Sequence, residues 1–151
     1  CRHLVRALPD LRAYIMGPTE EDMEYFQECQ ELVRHLALEN TITFTGNVNI
    51  DEYLPEVDVV VLTSISESQP LVILEAGAAG IPVVATNVGA CREMIEGADD
   101  EDPYLGVGGT IVPLSNPSKT ARAIYRLLSD QAYYNRASSS MRMRVEKLYH
   151  K

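Results

Sequence analysis

Apolar and polar positions along this chain follow two rhythms, and the rhythm changes at glycine and proline. Residues 12–16 form a short apolar run closed by Gly17 and Pro18, which predicts a strand and a turn. Thr19 is placed to cap a helix, with Glu20, Glu21 and Asp22 in its first turn. Phe26, Cys29, Leu32, Val33 and Leu36 then recur at helical spacing, which predicts a helix lying on a sheet. Residues 41–45 alternate and end at Gly46 and Asn47, a second strand, and residues 50–54 predict a short helix. The run DVVVLT, residues 58–63, has no polar face, as expected in the middle of a parallel sheet covered on both sides. A helix over 70–79 is apolar nearly all round and should therefore be buried; Gly80 and Pro82 stop it. A strand over 82–86, a short helix over 91–96 and a strand over 109–112 follow. Pro117 opens a helix over 117–128, capped by Asn116 or Ser115, and a last helix runs from Gln131 to about Tyr149. Residues 1–9 read as the end of an amphipathic helix.

Five strands alternating with helices imply one α/β domain over residues 1–151, a doubly wound parallel sheet of Rossmann-like type. In such sheets ligands bind at the carboxyl ends of the strands. A chain of 151 residues can bury a sizeable core as a single domain. The net charge of −9 argues against nonspecific nucleic-acid binding, although backbone N–H groups can still hold a phosphate locally. No apolar run approaches the ~20 residues that span a bilayer, and the chain opens on Cys1. The expectation is a cytoplasmic piece of a longer protein. Cys1, Cys29 and Cys91 are widely spaced and odd in number, which suits free thiols in a reducing compartment. His3, His35 and His150 show no ligand spacing, so no metal site is expected. Residues 97–103, GADDEDP, read as a solvated acidic loop.

The candidate chemistry lies in residues 65–89, ISESQPLVILEAGAAGIPVVATNVG. Glu67 sits in the loop after an apolar strand, and Glu75 is the only charge in the helix that follows. Helix starts present free N–H groups and the positive end of the dipole, so this loop faces an anion site suited to phosphate. An ionised carboxylate on either side can accept hydrogen bonds from sugar hydroxyls. Glu75 inside an apolar helix must be paired, exposed at a cleft or protonated; a structural partner is one reading and a ribose acceptor the other. Ser66, Ser68 and Gln69 can cap the helix or touch a sugar. Gly89 is either a plain turn or a close backbone approach to a ligand.

ESQPLVILE, from Glu67 to Glu75, resembles the E-x7-E motif of retaining glycosyltransferase family 4, whose members have the two-domain GT-B fold. AYIMGPTEE, ITFTGNVNIDEYLPEVDVVVLTSISE, EAGAAGIPVVATNVGACREMI and GTIVPLSNPSKTARAIYRLLSD resemble the family's further landmarks in order and spacing. The resemblance implies the C-terminal, donor-binding half of a metal-independent enzyme. It needs no cofactor, and a nucleotide-diphospho-sugar is its substrate. Glu67 would meet the donor sugar and act in catalysis, and Glu75 would meet the ribose. The backbone of Gln69 and Leu71 would meet sugar and phosphate, with Ser68 and Gly89 also lining the donor, and Asn47 and Val48 would lie near the base. The family's Gly-Phe-Gly after the first glutamate is Ser68, Gln69 and Pro70 here, which removes one N–H donor. That form resembles a subgroup making the bacterial Pel exopolysaccharide, whose members favour UDP-glucose. Gly77 replaces a usual methionine, at a helix-propensity cost of about 1 kcal/mol against Ala.

Asp100-Glu101-Asp102 formally matches the Asp-x-Asp metal motif of another glycosyltransferase class, but lies outside the tight turn after a strand that such a site needs. The family's phosphate-binding Arg and Lys precede the first strand, and its N-terminal domain binds the glycan acceptor; neither lies within this sequence. The isolated chain is therefore expected to be inactive, and a peripheral membrane association of the longer parent stays open. The rival is a noncatalytic α/β module that senses a nucleotide or docks a partner through the same crevice. A nucleotide-sugar epimerase would need an acidic and histidine set that these residues do not show.

Overall fold

The computed structural model describes residues 1–149; His150 lies outside them. Tertiary contacts divide these residues into two compact units, Cys1–Ile50 and a second that begins at Asp51.

In the first unit, residues 1–9 form successive turns rather than the end of a helix. Leu4 and Val5 both donate to the Cys1 carbonyl, and Leu4 is the buried side chain of the segment. Strand β1 (Ala13–Met16) pairs in parallel with β2 (Ile42–Gly46). Between them runs α1 (Met23–His35), whose Phe26 meets Phe44 of β2 edge to face at 5.3 Å. The helix starts at Met23, three residues later than expected. Asp22, not Thr19, is its cap, because the Asp22 carboxylate accepts the Tyr25 N–H at 2.9 Å. Asn47 and Val48 follow β2 and are exposed.

The second unit begins with two 3₁₀ turns, one ending at Glu52 and one over Leu54–Glu56, in place of the single short helix expected. Its sheet has the order β3 (Val60–Leu62), β4 (Val83–Thr86), β5 (Gly109–Val112), all parallel. The central strand is therefore β4, with all four residues buried. The DVVVLT strand, expected in the middle, lies at an edge of this sheet, and its Val61 is 42% exposed. Val84 and Val112 pack with Ala123, Leu127 and Ala137 to make the core. Those alanines and Leu127 come from α4 (Pro117–Ser129) and α5 (Gln131–Arg144), capped by the side chains of Asn116 and Asp130. Beyond Arg144 the backbone widens to a π-helical turn, Val145–Tyr149.

Helix α2 (Leu71–Ala79) buries only Ile73, Ala76 and Gly77. Leu71, Glu75, Ala78 and Ala79 form an exposed stripe, so the helix is half out of the core although both faces are apolar. At Gly77 a Cβ would come within 2.5 Å of Val145 Cγ2 and 3.0 Å of Met141 Cε. Glycine here permits close contact between α2 and the end of the chain. That contact accounts for a residue which helix propensity alone disfavours.

The acidic loop is not wholly solvated. Asp99, Asp100 and Asp102 are exposed, but the Glu101 side chain is 4% exposed and pairs with fully buried Arg144. Arg144 Nε and Nη2 donate to the two Glu101 oxygens at 2.8 and 2.9 Å. Two further N–H groups reach the carbonyls of Ile95 at 2.9 Å and Gly106 at 2.6 Å. A carboxylate could turn inward because a buried guanidinium with all three nitrogens hydrogen-bonded meets it there. Among the described residues no helix is long and apolar enough to cross a membrane, and Cys1, Cys29 and Cys91 are free thiols.

Candidate functional site

The loop carrying Glu67 hangs from the end of the central strand. Thr86, buried at the end of β4, donates its hydroxyl to the Ser64 carbonyl at 2.5 Å. The Ser64 hydroxyl in turn donates to Glu67 Oε1 at 2.6 Å. Sequence reasoning missed Ser64 and Thr86. A loop serine and a strand threonine carry no spacing signal, and their roles arise only when β3 and β4 pair.

The opposite wall is the turn after β4. Ala90 donates its N–H to the Ser68 carbonyl at 3.0 Å, tying the two loops together. Gly89 has φ +49°, and a Cβ there would overlap the Glu67 carbonyl. Its close approach is thus to the protein's own Glu67–Ser68 backbone, and a side chain at 89 would push the glutamate loop aside. Cys91, fully buried at the start of α3 (Cys91–Glu96), has its thiol pushed up by burial and further by the Glu67 charge. It stays protonated and unreactive at neutral pH.

At the start of α2, Pro70 is buried and no side chain caps the first turn, so Ser66, Ser68 and Gln69 are not caps. Proline has no N–H, and the Ile73 N–H is used by the Pro70 carbonyl at 3.2 Å. Leu71 and Val72 are the residues left to offer free N–H groups at the positive end of the helix. Glu75 stands one turn further on, on the same exposed stripe as Leu71, and none of the described residues pairs with it.

The structure therefore brings Glu67, Ser68 and Gly89 into one hydrogen-bonded corner, with Gln69 and Leu71 continuing into the open start of α2 and Glu75 beyond. Asn47 and Val48 belong to the first unit. A cleft of about 550 Å³ lies before β3 and after α2, lined by residues including Asp51, Asp58, Gly80 and Tyr134, and contains none of the candidate residues. Chemical fit, not size, marks the corner at Glu67: a half-buried carboxylate with one oxygen engaged, beside unpaired helix N–H groups. Among the described residues no group of three His, Cys, Asp or Glu is placed to hold a metal ion.

Residues 1–130 match the family model described as glycosyl transferases group 1. The chain belongs to this family. The chain is 33% identical over 138 residues to the uncharacterized glycosyltransferase MJ1607 of Methanocaldococcus jannaschii, covering 87% of this chain and 33% of that protein. The chain spans about a third of the length of the curated relatives it matches. Its fold is similar to the C-terminal domain of a group 1 glycosyltransferase, LpcC, from Francisella tularensis, with a TM-score of 0.80 at 27% identity, covering 98% of this chain and 74% of that one. It is also similar to Anabaena Alr3699/HepE, solved in complex with UDP and glucose, with a TM-score of 0.83 at 25% identity over 95% of this chain and 38% of that one. This is the α/β fold of the C-terminal domain of GT-B glycosyltransferases.

Proposed function

We propose that this chain is the donor-binding domain of a longer, retaining glycosyltransferase that uses a nucleoside-diphospho-sugar of the UDP-glucose kind on a polysaccharide or glycan acceptor. The observation that carries this reading is the corner where Glu67 stands beside the uncapped start of α2, with Glu75 exposed one turn along it. Membership of the glycosyltransferase family supports it, as does the complex of Alr3699/HepE with UDP and glucose.

In this assignment the first turn of α2 receives the diphosphate, where its N–H groups stabilise the charge that develops on departure. Glu75 accepts the ribose hydroxyls. Glu67 binds a sugar hydroxyl and places its negative charge near the anomeric carbon as positive charge grows there. The acceptor hydroxyl attacks that carbon from the face the diphosphate leaves. The new glycosidic bond forms as the sugar–phosphate bond breaks, and the leaving phosphate oxygen takes the acceptor's proton. Configuration is retained, and no metal is used. The membrane association of the parent is peripheral, and the isolated domain transfers nothing. The Ser68-Gln69-Pro70 form supports a role in exopolysaccharide synthesis.

The test is a transfer assay on the full-length protein with radiolabelled UDP- and GDP-sugars, in the presence and absence of EDTA, with the product's anomeric configuration read by NMR. Full transfer in EDTA with retained configuration is expected. Inverted product, or activity lost to EDTA and restored by manganese, would overturn the corresponding part of the reading.

A further inference from the structure

We propose that Ser64 is the positioning residue for Glu67, holding one carboxylate oxygen so that the other is presented to a hydroxyl of the donor sugar. This rests on the assignment of Glu67 to the sugar made above. A glutamate in a loop ordinarily samples many rotamers, and a ligand that needs one of them must first remove that freedom. Here the freedom is already reduced. The Ser64 hydroxyl lies 2.6 Å from Glu67 Oε1, within the range of a charge-assisted O–H···O⁻ bond. Ser64 is itself held, because buried Thr86 donates to its carbonyl at 2.5 Å from the end of the central strand. The far side of the loop is fixed by the Ala90 N–H on the Ser68 carbonyl at 3.0 Å. Glu67 Oε2 has no protein partner among the described residues. A carboxylate with one oxygen anchored through a strand and one left open is oriented toward a single ligand hydroxyl.

Calorimetric titration of the full-length protein with UDP and with UDP-glucose tests this, using the ratio of the two dissociation constants as the readout. Glu67→Ala should raise the UDP-glucose constant and leave UDP unchanged. Ser64→Ala should shift the ratio in the same direction by roughly tenfold, the scale of one hydrogen bond to a charged group. Ser64→Thr, which keeps the hydroxyl, should restore it. The Ser64→Ala/Glu67→Ala double variant should match Glu67→Ala alone, because the serine acts through the glutamate. Ser64→Cys, of similar volume but a weak donor, gives the same reading should the alanine variant not fold. A wild-type ratio in Ser64→Ala alongside a shifted ratio in Glu67→Ala overturns the role of Ser64 and leaves the donor site standing. Equal weakening toward both ligands reduces Ser64 to a structural residue and overturns the proposal too. A wild-type ratio in Glu67→Ala overturns the assignment of Glu67 itself, and that of Ser64 with it.

Discussion

Glu75 stands exposed on α2 with nothing among the described residues to neutralise it, so its charge is free for a ligand. Replacing it by Gln in the full-length protein should weaken nucleoside-diphosphate binding by roughly 1–3 kcal/mol, since a neutral amide is a poorer acceptor of ribose hydroxyls. Calorimetry with UDP checks it, and unchanged affinity in a folded variant would remove Glu75 from the nucleotide. Glu67→Ala should act differently: kcat should fall more than KM rises, because the interaction assigned to Glu67 strengthens as positive charge grows at the sugar. Steady-state kinetics would show the split, and normal turnover would exclude Glu67 from the mechanism. Both glutamates were legible in the sequence, because a lone charge in an apolar helix and another at a strand end are conspicuous where they stand. Ser64 was not. Its partner Glu67 lies three positions on and Thr86 22 positions on, and only the pairing of β3 with β4 brings all three within hydrogen-bond reach.

At the scale of elements, glycine and proline marked the ends of β1, β2, α2, α3 and β5, and the five strands fall within a residue or two of their apolar runs. The errors have physical causes. DVVVLT and PVVAT are equally apolar, and only the pairing order shows that the second is the flanked one. Thr19 and Asp22 are both competent caps, and the chain uses the one whose carboxylate reaches an amide of the first turn. Helix α2 was expected to be buried throughout because its exposed stripe is nearly as apolar as its buried one. Gly77 on the buried side yields a prediction that helix propensity alone gets wrong in sign. Propensity favours Gly77→Ala by about 1 kcal/mol, but overpacking costs typically 1–3 kcal/mol. With Val145 Cγ2 at 2.5 Å and Met141 Cε at 3.0 Å from the new methyl, overpacking should win. Thermal denaturation should show Gly77→Ala melting lower by a few degrees, with Val145→Ala in the same chain recovering part of the loss. A rise in melting temperature would show that α2 and the end of α5 separate at no cost.

On the scale of the whole molecule, one ion pair ties the end of α5 to the loop after α3 across 43 positions, a separation at which residue spacing carries no signal. Arg144 holds Glu101 with two N–H groups, and the Leu105 N–H adds a third donor at 2.9 Å. The Arg144 hydrogen bonds hold the Glu101 carboxyl below its ordinary value; burial opposes this, and the Leu105 N–H and the Arg144 charge reinforce it. A carboxylate depressed in the folded state contributes stability that is fully present above its unfolded value, ~4.3. That contribution is lost as pH falls from there through the lower folded value. Glu101→Gln leaves a buried guanidinium without its counter-charge, a loss typically of about 3–5 kcal/mol. Urea denaturation of wild type and Glu101→Gln across pH should therefore show a large gap near pH 7. The gap should begin to narrow as pH falls below about 4.3, where the unfolded chain takes up its proton, and close only once pH has fallen through the lower folded value. A gap that persists unchanged into acid would mean that the shape of the carboxyl group, and not its charge, holds α5 to the loop.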